Sequence, residues 1–153
     1  MDHSLYHSSL SYIHSYGIGA RVGIVGSRDY TSSWLVRGFV ASLPGDCVVV
    51  SGNGGIVDTT AIDTAKKMGI AYTEYNPNWS YHKHGAGVMR NKKIAQDGLC
   101  CLVAFISSLA NPSYGSYHTI QVALAVGVPV FMFGPADDFT YASTVDRQLC
   151  LNL

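Results

Sequence analysis

The chain is 153 residues long, 48% hydrophobic and 13% charged, with ten Lys or Arg balanced by ten Asp or Glu. That length suits one domain with a sizeable core, and the sparse, balanced charge lacks the basic footprint that duplex DNA or RNA requires of a partner. No apolar run approaches a membrane span, and the N-terminus has neither the basic nor the hydrophobic region of a secretory signal, so no membrane partner and a cytoplasmic location are expected.

Residues 1–19 are rich in Ser, Tyr and His and read as a leader or short docking helix, with Leu5, Tyr6, Leu10, Tyr12 and Ile13 as its candidate buried stripe. A single domain is expected over residues 20–153. His3 and His7 share one helical face, with His14 two turns on, but Asp2 is the only acidic residue nearby, so surface histidines are expected rather than a metal site.

Val22 to Val25 is apolar, too short for a helix, and is ended by Gly26; Trp34 to Phe39 then has helical spacing. Strand, turn and helix make half of a βαβ unit, and such a turn presents unpaired helix N–H groups to an anion. In the turn, Gly26 permits close approach, Ser27 adds a hydroxyl and Arg28 a fixed positive charge. The plain alternative is a turn without a ligand, in which Asp29 or Thr31 caps the helix.

A second junction of the same kind follows. Cys47 to Val50 reads as a strand buried on both faces, ending in Ser51-Gly52-Asn53-Gly54-Gly55 and running into a helix from Val57 to Met68. The turn matches neither the dinucleotide fingerprint nor the P-loop. Its small residues nonetheless bare backbone N–H groups, and Asp58 in the helix's first turn can accept from a hydroxyl. Gly69 closes this helix and Ile70 to Tyr75 is a third strand. Trp79, after Asn76-Pro77-Asn78, is either a plug over the helix ends or a base-stacking platform.

Ala86 to Asp97 is the next helix. Arg90 and Lys92 in its first turns oppose the helix macrodipole, so Arg90 needs another reason to be there. Leu99 to Ile106 is a fourth strand, almost wholly apolar and so central, Gly115 to Val126 a helix ended by Gly127, and Val128 to Phe133 a fifth strand. From Gly134 the tail is polar, with a last apolar turn at Leu149 to Leu153. The four cysteines, Cys47, Cys100, Cys101 and Cys150, form no CxxC pair and read as reduced, mostly buried thiols; neighbouring strand residues point to opposite faces, which disfavours a Cys100–Cys101 disulfide or a zinc site. The whole is an α/β fold: a Rossmann-like doubly wound parallel sheet of about five strands with helices on both faces.

The stretches VGIVGSRDY, VVVSGNGGIVDTTAIDTAKKMGI, YNPNW, AGVMRN and GSYHTIQVALAVGVPV follow in order over about Arg21 to Phe133. Together they resemble the SLOG superfamily of Rossmann-like domains, most closely its YspA-type, YpsA-related branch. The resemblance implies a pocket at the strand carboxyl ends for a nucleotide or nucleotide-derived ligand. Its candidate residues here are Gly26, Ser27, Arg28, Ser51, Gly52, Asn53, Gly54, Asp58, Trp79, Arg90, Asn91, Gly115, Ser116 and Thr119. No cofactor is implied.

More distant relatives, the LOG-like phosphoribohydrolases, cleave the N-glycosidic bond of nucleoside monophosphates and carry a PGGxGTxxE motif. The comparable stretch here runs from Asn111 to Thr119, with Ser116 at the threonine and Thr119 at the glutamate. Losing that acid removes the group that stabilises an oxocarbenium-like centre or activates water. A sensor or sequestering protein is therefore expected. A nucleotide N-glycosidase, with Arg90 and Asp58 as its catalytic candidates, and an interaction module with a vestigial pocket are the alternatives. Ten tyrosines and two tryptophans favour interfaces, and a homodimer or higher homo-oligomer is expected, with the helices around Trp34 or Gln121 as candidate surfaces.

Overall fold

The computed structural model describes residues 4–76, 85–108, 114–135 and 143–145, leaving out the side chains of residues 4, 5, 86, 88, 114–116 and 143–145. Within these residues the elements run α1 (Ser4–Tyr16), β1 (Arg21–Gly26), α2 (Ser33–Ala41), β2 (Val48–Gly52), α3 (Ile56–Met68) and β3 (Ala71–Tyr75). They continue with α4 (Ala86–Ala95), β4 (Cys101–Phe105), α5 (Tyr114–Ala125), β5 (Val130–Phe133) and β6 (Ser143–Val145).

The strands form one sheet in the order β3-β2-β1-β4-β5-β6. The first five are parallel, as the helices between them predict; β4 lies between β1 and β5 and is buried along its whole length. A sixth strand, antiparallel to β5, lies in the polar tail beyond Gly134, where the sequence predicts no strand. Its three residues carry no apolar periodicity strong enough to announce a strand.

Strand side chains alternate between two cores. One face packs Val22, Ile24, Val49 and Val103 against α2 through Val36, Phe39 and Val40, and against α3 through Ala61 and Ala65. The other packs Val25, Val50, Leu102 and Ala104 against Ile94 and Ala95 of α4 and Ile120 and Ala123 of α5. The chain thus changes faces between β3 and β4, and β1 and β4, side by side, send their connections to opposite sides. This is a topological switch point, where the carboxyl ends of two strands leave a crevice.

With α2 and α3 covering β1 to β3, the β4–β5 half of the first face needs another cover, and α1 supplies it. Ile13 is fully buried there, with Tyr6, Leu10 and Tyr12 partly buried against the same core. Tyr6 meets Phe39 edge-on at 5.4 Å and Phe133 at 5.7 Å, and the Tyr12 hydroxyl donates to the Cys100 carbonyl at 3.2 Å. Burying the Tyr6 hydroxyl pushes its pKa up to about 12. His14 Nε2 donates to the Ser42 carbonyl at 3.0 Å. His3 lies outside the described residues, and among them no group of three His, Cys, Asp or Glu is placed to hold a metal ion.

Two local expectations need correcting. Helix α2 begins at Ser33 with Ser32 at its N-cap, so neither Asp29 nor Thr31 caps it; Asp29 instead accepts a hydrogen bond from Ser107. Cys100 precedes β4, which begins at Cys101, so strand alternation does not separate the two thiols, and their sulfurs lie 3.8 Å apart as free, buried thiols. Cys47 is likewise free and buried, and burial pushes its pKa up to about 11. No helix among the described residues is long and apolar enough to cross a membrane.

Candidate functional site

The site is built where β2, β1 and β4 end, and each of these strands has a serine at or just beyond its carboxyl end. Ser51 donates to the Ile24 carbonyl at 2.6 Å, tying β2 to β1. The Ser27 N–H donates to the Phe105 carbonyl at 3.0 Å, and Ser27 Oγ accepts from the Ser107 N–H at 3.1 Å, tying β1 to β4 across the switch point. Ser107 Oγ then donates to Asp29 at 2.7 Å. Ser107 is absent from the sequence-predicted site. Its signal was its position as the first hydroxyl beyond an apolar strand, the same signal that marks Ser27.

Gly26 sits where three elements converge. A Cβ there would stand 2.4 Å from Val57 Cγ2 and 2.5 Å from the Phe105 carbonyl oxygen, so only glycine lets the first turn of α3 close onto β1 and β4. The two glycine-bearing turns also touch each other: a Cβ on Gly55 would lie 3.3 Å from both Cα and Cγ of Arg28. Arg28 itself is exposed at the rim.

Arg90 reaches this turn from α4, on the opposite face of the sheet. Its Nη1 lies 2.3 Å from the position a Cβ on Gly52 would take, and its Nη2 2.9 Å from that of Gly54. The guanidinium therefore rests on the glycine turn, which has no side chains there to hold it off. Asn91, buried beside it, accepts from Arg90 Nε at 2.9 Å. This fixes the plane of the guanidinium, although neighbouring helix residues do not ordinarily face each other. Arg90 Nη1 is buried and has no hydrogen-bond partner among the described residues.

Asp58 completes the constellation. It stands in the first turn of α3, is 8% exposed, and accepts the Gly54 N–H at 2.9 Å. Burial raises its pKa above the ordinary carboxylate value; the Gly54 N–H, the Arg90 charge, the Ser51 hydroxyl and the Arg28 charge oppose that rise. Arg90 shows the mirror image: burial lowers its pKa, Asp58 raises it and Arg28 lowers it. A guanidinium stays protonated at any ordinary pH. Two cations thus face one carboxylate, and the local balance favours an anion.

Of the sequence-predicted residues, Gly26, Ser27, Arg28, Ser51, Gly52, Gly54, Asp58, Arg90 and Asn91 come together in this crevice. Asn53 is exposed at the tip of the β2–α3 turn. Gly115 and Ser116 lie in the first turn of α5, and Thr119, one turn on, is 1% exposed. Trp79 falls outside the described residues. No protein-family model matches this chain, and no curated protein matches it in sequence.

Proposed function

We propose that this chain binds a nucleotide or nucleotide-derived signalling ligand at the carboxyl ends of its strands, as a sensor or a sequestering protein. The observation that carries this reading is Arg90 Nη1, a charged donor buried over a glycine turn with no acceptor among the described residues. A buried charged donor left unmade costs more than an ordinary unsatisfied group, and evolution-built interiors rarely tolerate it. A phosphate oxygen supplies the missing acceptor, and the guanidinium fork suits phosphate in both geometry and charge. The start of α3 adds the favourable end of a helix dipole. Asp58, next to the same guanidinium, suits a ribose hydroxyl as an acceptor.

The motifs that resemble the SLOG superfamily support the same reading, because Arg90 and Asn91 are the MRN of AGVMRN and the glycine turn is its SGNGG. Calorimetric titration with adenosine monophosphate, ribose 5-phosphate and adenosine tests it. Saturable binding of the phosphorylated probes, lost in Arg90→Ala, is the expected result. Binding that is unchanged by Arg90→Ala, or that treats adenosine and its monophosphate alike, places the ligand elsewhere.

A second reading, nucleotide N-glycosidase, is favoured by Asp58. Burial raises the pKa of its carboxyl and so favours the protonated form that a general acid gives to a leaving base, against the Arg90 charge that lowers it. Against it stands Thr119, where the hydrolases carry their glutamate: a hydroxyl neither stabilises a developing cation as a carboxylate does nor accepts a proton readily from water.

A further inference from the structure

The two edges of the sheet differ. One ends in β6, lying antiparallel on β5; the other ends in β3, which among the described residues pairs with β2 alone. An edge strand presents a row of unpaired N–H and C=O groups, a template for another chain unless something blunts it. β3 has the sequence AYTEY, in which Tyr and Thr are good strand formers, and Ala71, Tyr72 and Glu74 are exposed.

Charge is the usual means of blunting an edge, so its arrangement decides what this edge does. Tyr72 and Glu74 share one face of the strand, the face toward α3. There Lys66 holds its Nζ 5.4 Å over the Tyr72 ring. The face therefore carries a cation at Tyr72 and an anion at Glu74, two residues further along. Such a pattern is complementary to an antiparallel copy of itself.

We propose that β3 is a self-association edge, pairing antiparallel with β3 of a second copy about a two-fold axis through Thr73. In that register Ala71 opposes Tyr75, Thr73 opposes itself, and Tyr72 opposes Glu74 of the partner subunit, so that all five residues of β3 are paired. Lys66, above Tyr72, then faces Glu74 of the partner subunit, twice by symmetry. Met68 and Tyr72, 53% and 43% exposed, flank the seam and lose water as it forms. A two-fold seam is isologous and closes on itself.

The test is a charge swap read by sedimentation equilibrium across a concentration series, with circular dichroism confirming folding. Lys66 and Glu74 are both exposed, so the variants are expected to fold. Wild-type protein is expected to dimerise, Glu74→Lys to weaken the dimer by about tenfold as two attractions become repulsions, and Lys66→Glu with Glu74→Lys to restore it. A monomeric wild type overturns the proposal. So does a dimer indifferent to Glu74→Lys, a double variant no tighter than Glu74→Lys alone, or a dimer lost instead in Trp34→Ala, which would put the seam on α2.

Discussion

Arg90 and Gly52 are separated by 37 intervening residues and lie on opposite sides of a turn, yet the guanidinium occupies the space that any side chain at position 52 would fill, with Nη1 2.3 Å from that Cβ position. Gly52→Ala therefore displaces the tip of a flexible side chain rather than backbone. The expected outcome is a split: a stability loss of about 1 kcal/mol or less, within the range of ordinary substitutions, together with a clear loss of phosphate binding. Thermal unfolding and calorimetry on the same samples check it. A large fall in melting temperature with affinity intact would contradict this account of the turn.

Arg90→Ala removes the buried donor itself and is expected to weaken binding of adenosine monophosphate by about 1.5–3 kcal/mol, the range for hydrogen bonds to charged groups. Arg28 is exposed, so water screens its charge, and Arg28→Ala is expected to cost less. Equal losses in both variants would mean that the ligand binds at the rim, outside the buried turn.

Gly26→Ala behaves oppositely to Gly52→Ala. The added Cβ meets the Phe105 carbonyl oxygen at 2.5 Å and Val57 Cβ at 2.7 Å, atoms held by the sheet and by α3. Overpacking of this kind costs about 1–3 kcal/mol, and the melting temperature is expected to fall accordingly. Denaturant unfolding of the variant measures it.

Asp58 links anion binding to pH. Its folded-state pKa is raised above the ordinary 3.8, chiefly by burial, and its charge competes with any bound anion for Arg90. Protonating Asp58 removes that competitor, so binding an anion takes up a proton and tightens as pH falls through the raised pKa. Sulfate is the suitable probe, since it does not itself titrate there. Its affinity is expected to rise on acidification in wild type, and to be higher and flatter with pH in Asp58→Asn. An opposite slope would show that Asp58 is not beside the bound anion.

Incubation with adenosine monophosphate is expected to release no free adenine at an enzyme-like rate, because on the resemblance to the hydrolases Thr119 stands where their acid would act chiefly in the transition state. Loss of such a group typically forfeits about 10² to 10⁴ in rate while leaving affinity largely intact. Chromatographic assay for adenine checks this. Release abolished by Asp58→Asn would hand the role to Asp58 and make the chain an N-glycosidase. Restoring a glutamate is a poor complement to this assay, since Thr119 is 1% exposed and a carboxylate there would be buried without a designed partner.

The order of strands and helices was legible in the sequence because periodicity reports which face of an element is buried, and glycines mark where strands and helices stop. Runs such as CLVAF had to be central, and Gly69, left-handed at φ 70°, had to end α3. The glycine turns, Arg28, Asp58 and Arg90 were legible for the same reason: small or charged residues at strand ends and helix starts, out of keeping with a core. Partnerships across long separations were not. Packing brings Ser107 to Ser27 and Asp29, and nothing local to any of these residues encodes the meeting. Likewise the sequence marks residues 1–19 as a leader or short docking helix with a thin apolar stripe, but where α1 docks follows from the change of faces after β3, which leaves β4 and β5 uncovered on one side. Pattern specifies how each element presents itself; which groups it meets is decided by close packing, which only the folded chain provides.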